Sequence, residues 1–144
     1  MTPTGYTLRE FSPGDYAAVN ALWQASEGVG LNESDTRAGI AAFLERNPHL
    51  SLVATDATGA IVGAVLCGHD GRRGYLHHLA VAPAHRRRGL GRALVEQCLR
   101  RLRVVGILKC NLFLYASNAA GRAFWLRHGW AARDDLVLVQ RAVS

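Results

Sequence analysis

No run of apolar residues in this chain approaches the roughly 20 needed to cross a bilayer, because charges interrupt the longest within a few positions. The first residues lack the cationic and then apolar design of a secretory signal. A cytoplasmic protein with no membrane partner is therefore expected. Cysteine is scarce and odd in number: Cys67, Cys98 and Cys110 lie far apart, with no C-x-x-C pair. Neither a disulfide framework nor a zinc site is suggested, and the thiols read as core residues of a reducing compartment. Repeats, low-complexity tracts and linkers are missing too, so the 144 residues, 49% of them hydrophobic, are read as one domain over 1–144.

Acidic residues are the minority, 11 against 17 Lys and Arg, for a formal charge of +6. That excess favours an anionic partner, whether nucleic acid, a membrane surface or an acidic small molecule. Its distribution is uneven. Arg86, Arg87, Arg88, Arg92, Arg100, Arg101 and Arg103 share one short window, whereas the first half is mixed and carries Glu27, Glu33 and Asp35. One end of the molecule is expected to be cationic.

Periodicity gives alternating elements. Tyr6–Glu10 reads as a short strand. Ser12-Pro13 is a helix start followed by Tyr16, Val19, Leu22 and Trp23 at helical spacing to about Ser26. The glycine-containing loop EGVGLNE leads to Ser34, read as the cap of a second helix running through Asn47, which Pro48 stops. Leu50–Thr55 and Ala60–Cys67 flank the turn DATG as a hairpin, and HDGRRG turns the chain into the strand YLHHLAV at Tyr75–Val81, which Pro83 ends. From Gly89, Leu90, Leu94, Cys98 and Leu102 repeat at steps of four, with Arg92, Glu96 and Arg100 expected to pair outward. Lys109–Tyr115 reads as a strand, Asn118–His128 as a helix ended by Gly129, and Leu136–Val143 as a last strand. The order β-α-α-β-β-β-α-β-α-β implies an α/β fold, a mixed sheet with helices on both faces.

The junction HRRRGLGRAL, His85–Leu94, puts three arginines and two glycines where a strand gives way to a helix. The first amides of a helix lack internal partners and point along the positive end of its dipole. Glycines 89 and 91 let a bulky phosphate approach them, and the arginines add charge-assisted contacts. A diphosphate fits such a junction. A Walker loop would need Lys and Ser or Thr after Gly91, where Arg92-Ala93 stand; a dinucleotide fingerprint would need glycine in place of Leu94. Arg86-x-x-Gly89-x-Gly91 instead matches (Q/R)-x-x-G-x-(G/A), and YLHHLAVAPAHRRRGLGRALVEQCL resembles the fourth strand, pyrophosphate loop and third helix of the GNAT (Gcn5-related) N-acetyltransferases. Asn118–Trp130 resembles the same family's N-x-x-A-x-x-F-Y-x-x-x-G-F motif, at fitting distance, and the element order covers nearly the whole chain.

That resemblance implies the GNAT acyl-CoA N-acyltransferase fold, with six to seven strands and a splay between the fourth and fifth that takes the pantetheine arm of acetyl-CoA. Main-chain groups of Leu79, Ala80 and Val81 would bind the arm. Arg86, Arg87, Arg88, Gly89, Leu90, Gly91 and Arg92 would form the pyrophosphate loop, with Asn118, Phe124 and Trp125 flanking the arm from the other side. His77 and His78 stand where relatives often carry acidic residues, and either could relay a proton, since imidazole titrates near neutrality. Strand alternation would send the two to opposite faces. Where the family has the tyrosine that protonates the thiolate, this chain has Trp125, whose indole N–H cannot serve as an acid; Tyr115 is a candidate stand-in.

The function expected is transfer of the acetyl group of acetyl-CoA to a primary amine of a small or amino-acid-like acceptor, by direct attack in a ternary complex. Glu27, Glu33 and Asp35 fall in the loop that shapes the acceptor site in relatives, which suits a cationic amine. A non-catalytic or weakly catalytic acyl-CoA-binding module is the alternative. Nucleic-acid binding ranks last, since no groove-reading motif accompanies the charge. No metal is expected: His69-Asp70 and His77-His78 lack ligand spacing. A homodimer is compatible with the sequence.

Overall fold

In the computed structural model, which describes residues 1–144, the strands Thr7–Glu10 (β1), Leu52–Thr55 (β2), Ile61–His69 (β3), Gly74–Val81 (β4) and Cys110–Leu112 (β5) form one sheet in that spatial order. β1 to β4 pair antiparallel with their neighbours, and β4 pairs parallel with β5. The sheet belongs to the first of two units, Met1–Phe113; the second is Leu114–Ser144.

Side chains of β2 and β3 alternate between two cores. Val53, Ala64 and Leu66 meet Val19, Leu22 and Trp23 of the helix Tyr16–Gln24 (α1) and Ile40 of the helix Arg37–Arg46 (α2). The opposite face lies under the helix Leu90–Val104 (α3), whose Leu90, Leu94, Cys98 and Leu102 are all buried. Two glycines lie against this helix: a Cβ on Gly74 would lie 2.6 Å from Leu102 Cδ1, and one on Gly63 3.3 Å from Leu94 Cδ1. Cys67 and Cys98 are buried, and burial holds the Cys110 thiol up at about 12.

Pro13–Asp15 forms a single 3₁₀ turn before α1, and α2 is capped by Thr36, whose hydroxyl accepts from Gly39 N at 3.0 Å, rather than by Ser34. Arg92 and Glu96 form no ion pair, and Arg100 bonds Gln97 at 2.7 Å instead. β5 is shorter than Lys109–Tyr115 because its ladder with β4 covers only Gly74–Leu76. In the second unit, Asn118 caps the helix Ala119–Arg127 (α4) by accepting from Gly121 N at 2.8 Å. Leu136–Val143, expected as a last strand, forms none, and Leu136 to Val139 are exposed. Apolar β-formers specify a strand only where a partner edge supplies the ladder, so five strands form rather than six or seven.

The α3 interface predicts a sharp contrast. Leu94→Ala should cost about 3 kcal/mol in urea unfolding, while Arg100→Ala, on the outer face, should stay within about 0.5 kcal/mol.

Candidate functional site

The basic glycine loop starts where β4 ends. Ala82 N returns to Val62 O at 2.8 Å, and Pro83–His85 make one 3₁₀ turn. Arg87 and Gly89 then take left-handed conformations, φ +62° and +84°, a winding in which successive amides gather toward one point. The first backbone bond inside α3 runs from Ala93 N to Gly89 O at 3.0 Å, so the amides of Leu90, Gly91 and Arg92 precede it and face outward. Arg87, Arg88 and Gly89 donate no main-chain bond either. α2 and α4 have side-chain caps, whereas α3 begins at a glycine that offers none. The result is a helix N-terminus with bare amides, a positive dipole end and nearby guanidinium groups.

The arginines differ in what they do. Arg86 Nε donates to Val81 O at 2.9 Å and so fastens the loop to the strand. Arg88 Nη1 donates to the Tyr6 hydroxyl at 3.1 Å, and that hydroxyl lies 2.8 Å from His85 Nδ1. Arg87 and Arg92 make no hydrogen bond or ion pair through their side chains.

β4 and β5 part beside this loop. Their last paired residues are Leu76 and Leu112, yet β4 runs on to Val81. The β5-facing edge of Leu79, Ala80 and Val81 therefore has no strand partner, as a splay requires. On the other edge the register with β3 slips: Leu66 opposes His77 and Ala64 opposes Ala80, so His78 and Leu79 together face Val65. This is a β-bulge, with His78 at φ +55°. The bulge overturns the alternation expected for the two histidines. Their rings lie 6.4 Å apart on the same face, toward α1 and α2.

Their surroundings differ. His78 Nε2 lies 3.0 Å from both carboxylate oxygens of Asp35, its ring is 5.1 Å from that of Trp23, and Trp23 Nε1 donates to His78 O at 2.8 Å. Asp35 is a buried acid, unlike the exposed Glu27 and Glu33 of the same loop. His77 has no ionic partner. Phe43 meets it edge-on at 6.0 Å, and Tyr75 and Phe113 lie nearly parallel to it at 6.3 and 6.4 Å. Burial pushes His77 below its ordinary value, with His78 adding to the shift and Asp35 opposing it. Trp23, Phe43 and Phe113 were not singled out from sequence as site residues, because only the bulge turns the histidines toward them.

In the second unit Tyr115 is exposed, and Phe124, Trp125, His128 and Trp130 form an aromatic cluster, Trp125 lying 5.0 Å from Trp130 and 5.1 Å from Phe124. Asn118 spends its carbonyl oxygen on the cap of α4. His69 and Asp70 hold the β3–β4 turn, accepting from Gly71 N at 3.0 Å and from Arg72 and Arg73 N at 2.8 Å, and no group of three or more metal-ligating side chains occurs. No helix is long and apolar enough to cross a membrane.

The depressed His77 has a consequence for folding. The unfolded chain binds a proton near the ordinary value of 6.5 and the folded chain binds it only at lower pH. Stability is thus fully present above 6.5 and is lost as pH falls from there through the folded value. His77→Gln should narrow the difference in denaturation midpoint between pH 7.5 and 5.5, measured by urea titration.

Comparison with known proteins agrees with this geometry. The profile of the acetyltransferase (GNAT) family matches residues 16–130. An acetyltransferase of Yersinia enterocolitica is 31% identical over 136 residues, 94% of this chain and 95% of that protein. One of Pectobacterium atrosepticum is 31% identical over 137 residues, 95% and 96% of the two chains. Among solved structures, Ard1 from Thermoplasma volcanium superposes with a TM-score of 0.78 at 27% identity, covering 89% of this chain and 84% of its own. The PaiA N-acetyltransferase of Thermoplasma acidophilum, solved in complex with coenzyme A, shares the fold, with a TM-score of 0.78 at 18% identity over 93% of this chain and 92% of its own. A splayed mixed sheet, a basic glycine turn and matches across both units together place this chain in the GNAT acetyltransferase family.

Proposed function

We propose that the chain, acting as one domain over residues 1–144, is an acetyl-CoA-dependent N-acetyltransferase with a primary amine of a small or amino-acid-like molecule as acceptor. The observation that carries this reading is the end of β4–β5 pairing at Leu76 and Leu112, with a bare-amide helix N-terminus beyond one side of the gap and two histidines beside it, His78 in the bulge and His77 just before it. The family match spans both units, and a structural relative binds coenzyme A.

The residues present fit that co-substrate. Amides of Arg87 to Arg92 suit a diphosphate, with Arg87 and Arg92 free to add charge. The unpaired edge of Leu79, Ala80 and Val81 suits the amide groups of a pantetheine arm. Val81 O, however, is already taken by Arg86. Asn118, Phe124 and Trp125 are assigned to the arm on their match to the family motif. When bound, acetyl-CoA supplies an activated acyl group; the protein must supply a neutral amine and a polar setting for the carbonyl oxygen. An alkylammonium ordinarily ionises at about 10.4, so a proton acceptor is needed near neutrality. His77 and His78, before and in the bulge, are the groups there able to take that proton. Trp125 donates only a hydrogen bond, so the departing thiolate, itself a fair leaving group with a reference value of about 8.5, is protonated by solvent or by Tyr115.

Thiol release from acetyl-CoA should depend on an added amine when a panel of small amines and amino acids is screened. Binding of acetyl-CoA without turnover on any of them would favour a CoA-binding module. Gly89→Glu should raise the KM for acetyl-CoA by at least about 10-fold, since its carboxylate meets the phosphates. Gly89→Asn, which tolerates a left-handed backbone, should stay within about threefold. Equal kinetics for both variants would contradict the placement of the loop.

A further inference from the structure

Resting on the acetyltransferase reading, we propose that His78 is the group that takes the acceptor's proton and that Asp35 is its positioning residue, fixing which ring nitrogen is free to do so.

The ion pair of His78 with Asp35 stands apart from the others. Its side chains are only 15% and 8% exposed, whereas each of the other five pairs has a partner at least 30% exposed. Each element around it fixes one part. From the turn before α2, Asn32 N donates to Asp35 Oδ2 at 3.0 Å, and from α1 the Tyr16 hydroxyl donates to Asp35 O at 2.7 Å. The Arg37 guanidinium in turn sits 4.9 Å over the Tyr16 ring. Trp23 holds the His78 carbonyl and packs against its ring, while His77 lies beside it on β4. A left-handed φ at a non-glycine residue costs of order 1 kcal/mol, and such strain persists where the surroundings hold it.

The chemistry follows from the donor rule. A carboxylate only accepts, so Nε2 of a neutral His78 must carry the hydrogen, and Nδ1 is left with its lone pair. Nδ1 makes no hydrogen bond, and no fully buried side-chain nitrogen or oxygen lacks a partner, so Nδ1 is not sealed from solvent. The acceptor ammonium gives one proton to Nδ1, and the imidazolium so formed faces the Asp35 carboxylate. The neutral nitrogen then attacks the thioester carbonyl carbon. The C–N bond forms, the C–S bond breaks and its electron pair leaves on sulfur. The same nitrogen loses a second proton to solvent and the thiolate takes one from solvent or Tyr115, while the first passes from His78 to solvent. His77 has no carboxylate partner, and burial disfavours the charge that an accepted proton would bring, so it serves as an aromatic wall beside Phe43, Tyr75 and Phe113.

Two measurements test this on the full chain. Nitrogen-15 NMR of histidine-labelled free protein at pH 8 should show His78 protonated on Nε2 with Nδ1 bare, and Asp35→Asn should invert or mix that tautomer, because its amide can donate to Nε2. With an amine acceptor, Asp35→Asn and His78→Gln should each lower kcat by about 100-fold with the KM for acetyl-CoA within about threefold. Asp35→Glu should recover part of that loss. His78→Gln should also abolish the acidic limb of the kcat/KM profile that His77→Gln keeps. A wild-type His78 protonated on Nδ1, or an Asp35→Asn variant that folds normally with kcat within threefold of wild type, overturns the proposal while leaving the acetyltransferase reading intact. Absence of amine-dependent thiol release by wild-type protein overturns both. If Asp35→Asn fails to fold, the tautomer in wild type and the Asp35→Glu kinetics decide.

Discussion

Main-chain groups that the fold does not use for itself are what the site depends on. A buried or half-buried N–H or C=O is costly without a partner, and a well-formed sheet or helix consumes nearly all of them. This chain leaves two sets uncommitted and adjacent in sequence. β5 stops pairing at Leu112 while β4 continues, and α3 starts at a glycine that cannot cap it. An extended ligand that brings its own amides to the first set and a doubly charged diphosphate to the second would complete both.

The bulge at His78 and Leu79 is the second consequence of that same stretch of β4. One extra residue opposite Val65 rotates the strand so that two successive histidines emerge toward α1 and α2. Once on one side they experience different environments. One ring lies among aromatics and burial disfavours its charge; the other is held by a buried carboxylate. Trp23 links the two levels of structure, since it is part of the helix core and also bonds the backbone carbonyl of the bulged residue. Any account in which β4 were regular would lose this division of roles.

What could be read from the amino-acid order follows what is local. The buried stripe of α3 was legible because Leu90, Leu94, Cys98 and Leu102 repeat at the helical period, and the anion loop because glycine and arginine spacing is itself the local geometry. The splay was implied by family resemblance and is present in the pairing. The alternation of the histidines failed because a bulge is set by the register against another strand, which no residue on β4 announces. Asp35 could be named as a loop acid, yet its burial against His78 depends on a partner 43 positions away. Likewise Leu136–Val143 has strand-like side chains, but strand formation is decided by the edge it meets.

The central claim is that free amides at the start of α3 bind the diphosphate of coenzyme A, and the most direct test reads those amides one by one. Titrating coenzyme A into nitrogen-15-labelled protein should move the amide resonances of Arg87 to Arg92 most, saturably, with weaker binding as salt rises. Saturable binding that leaves those six resonances in place, or no binding at all, would contradict the account.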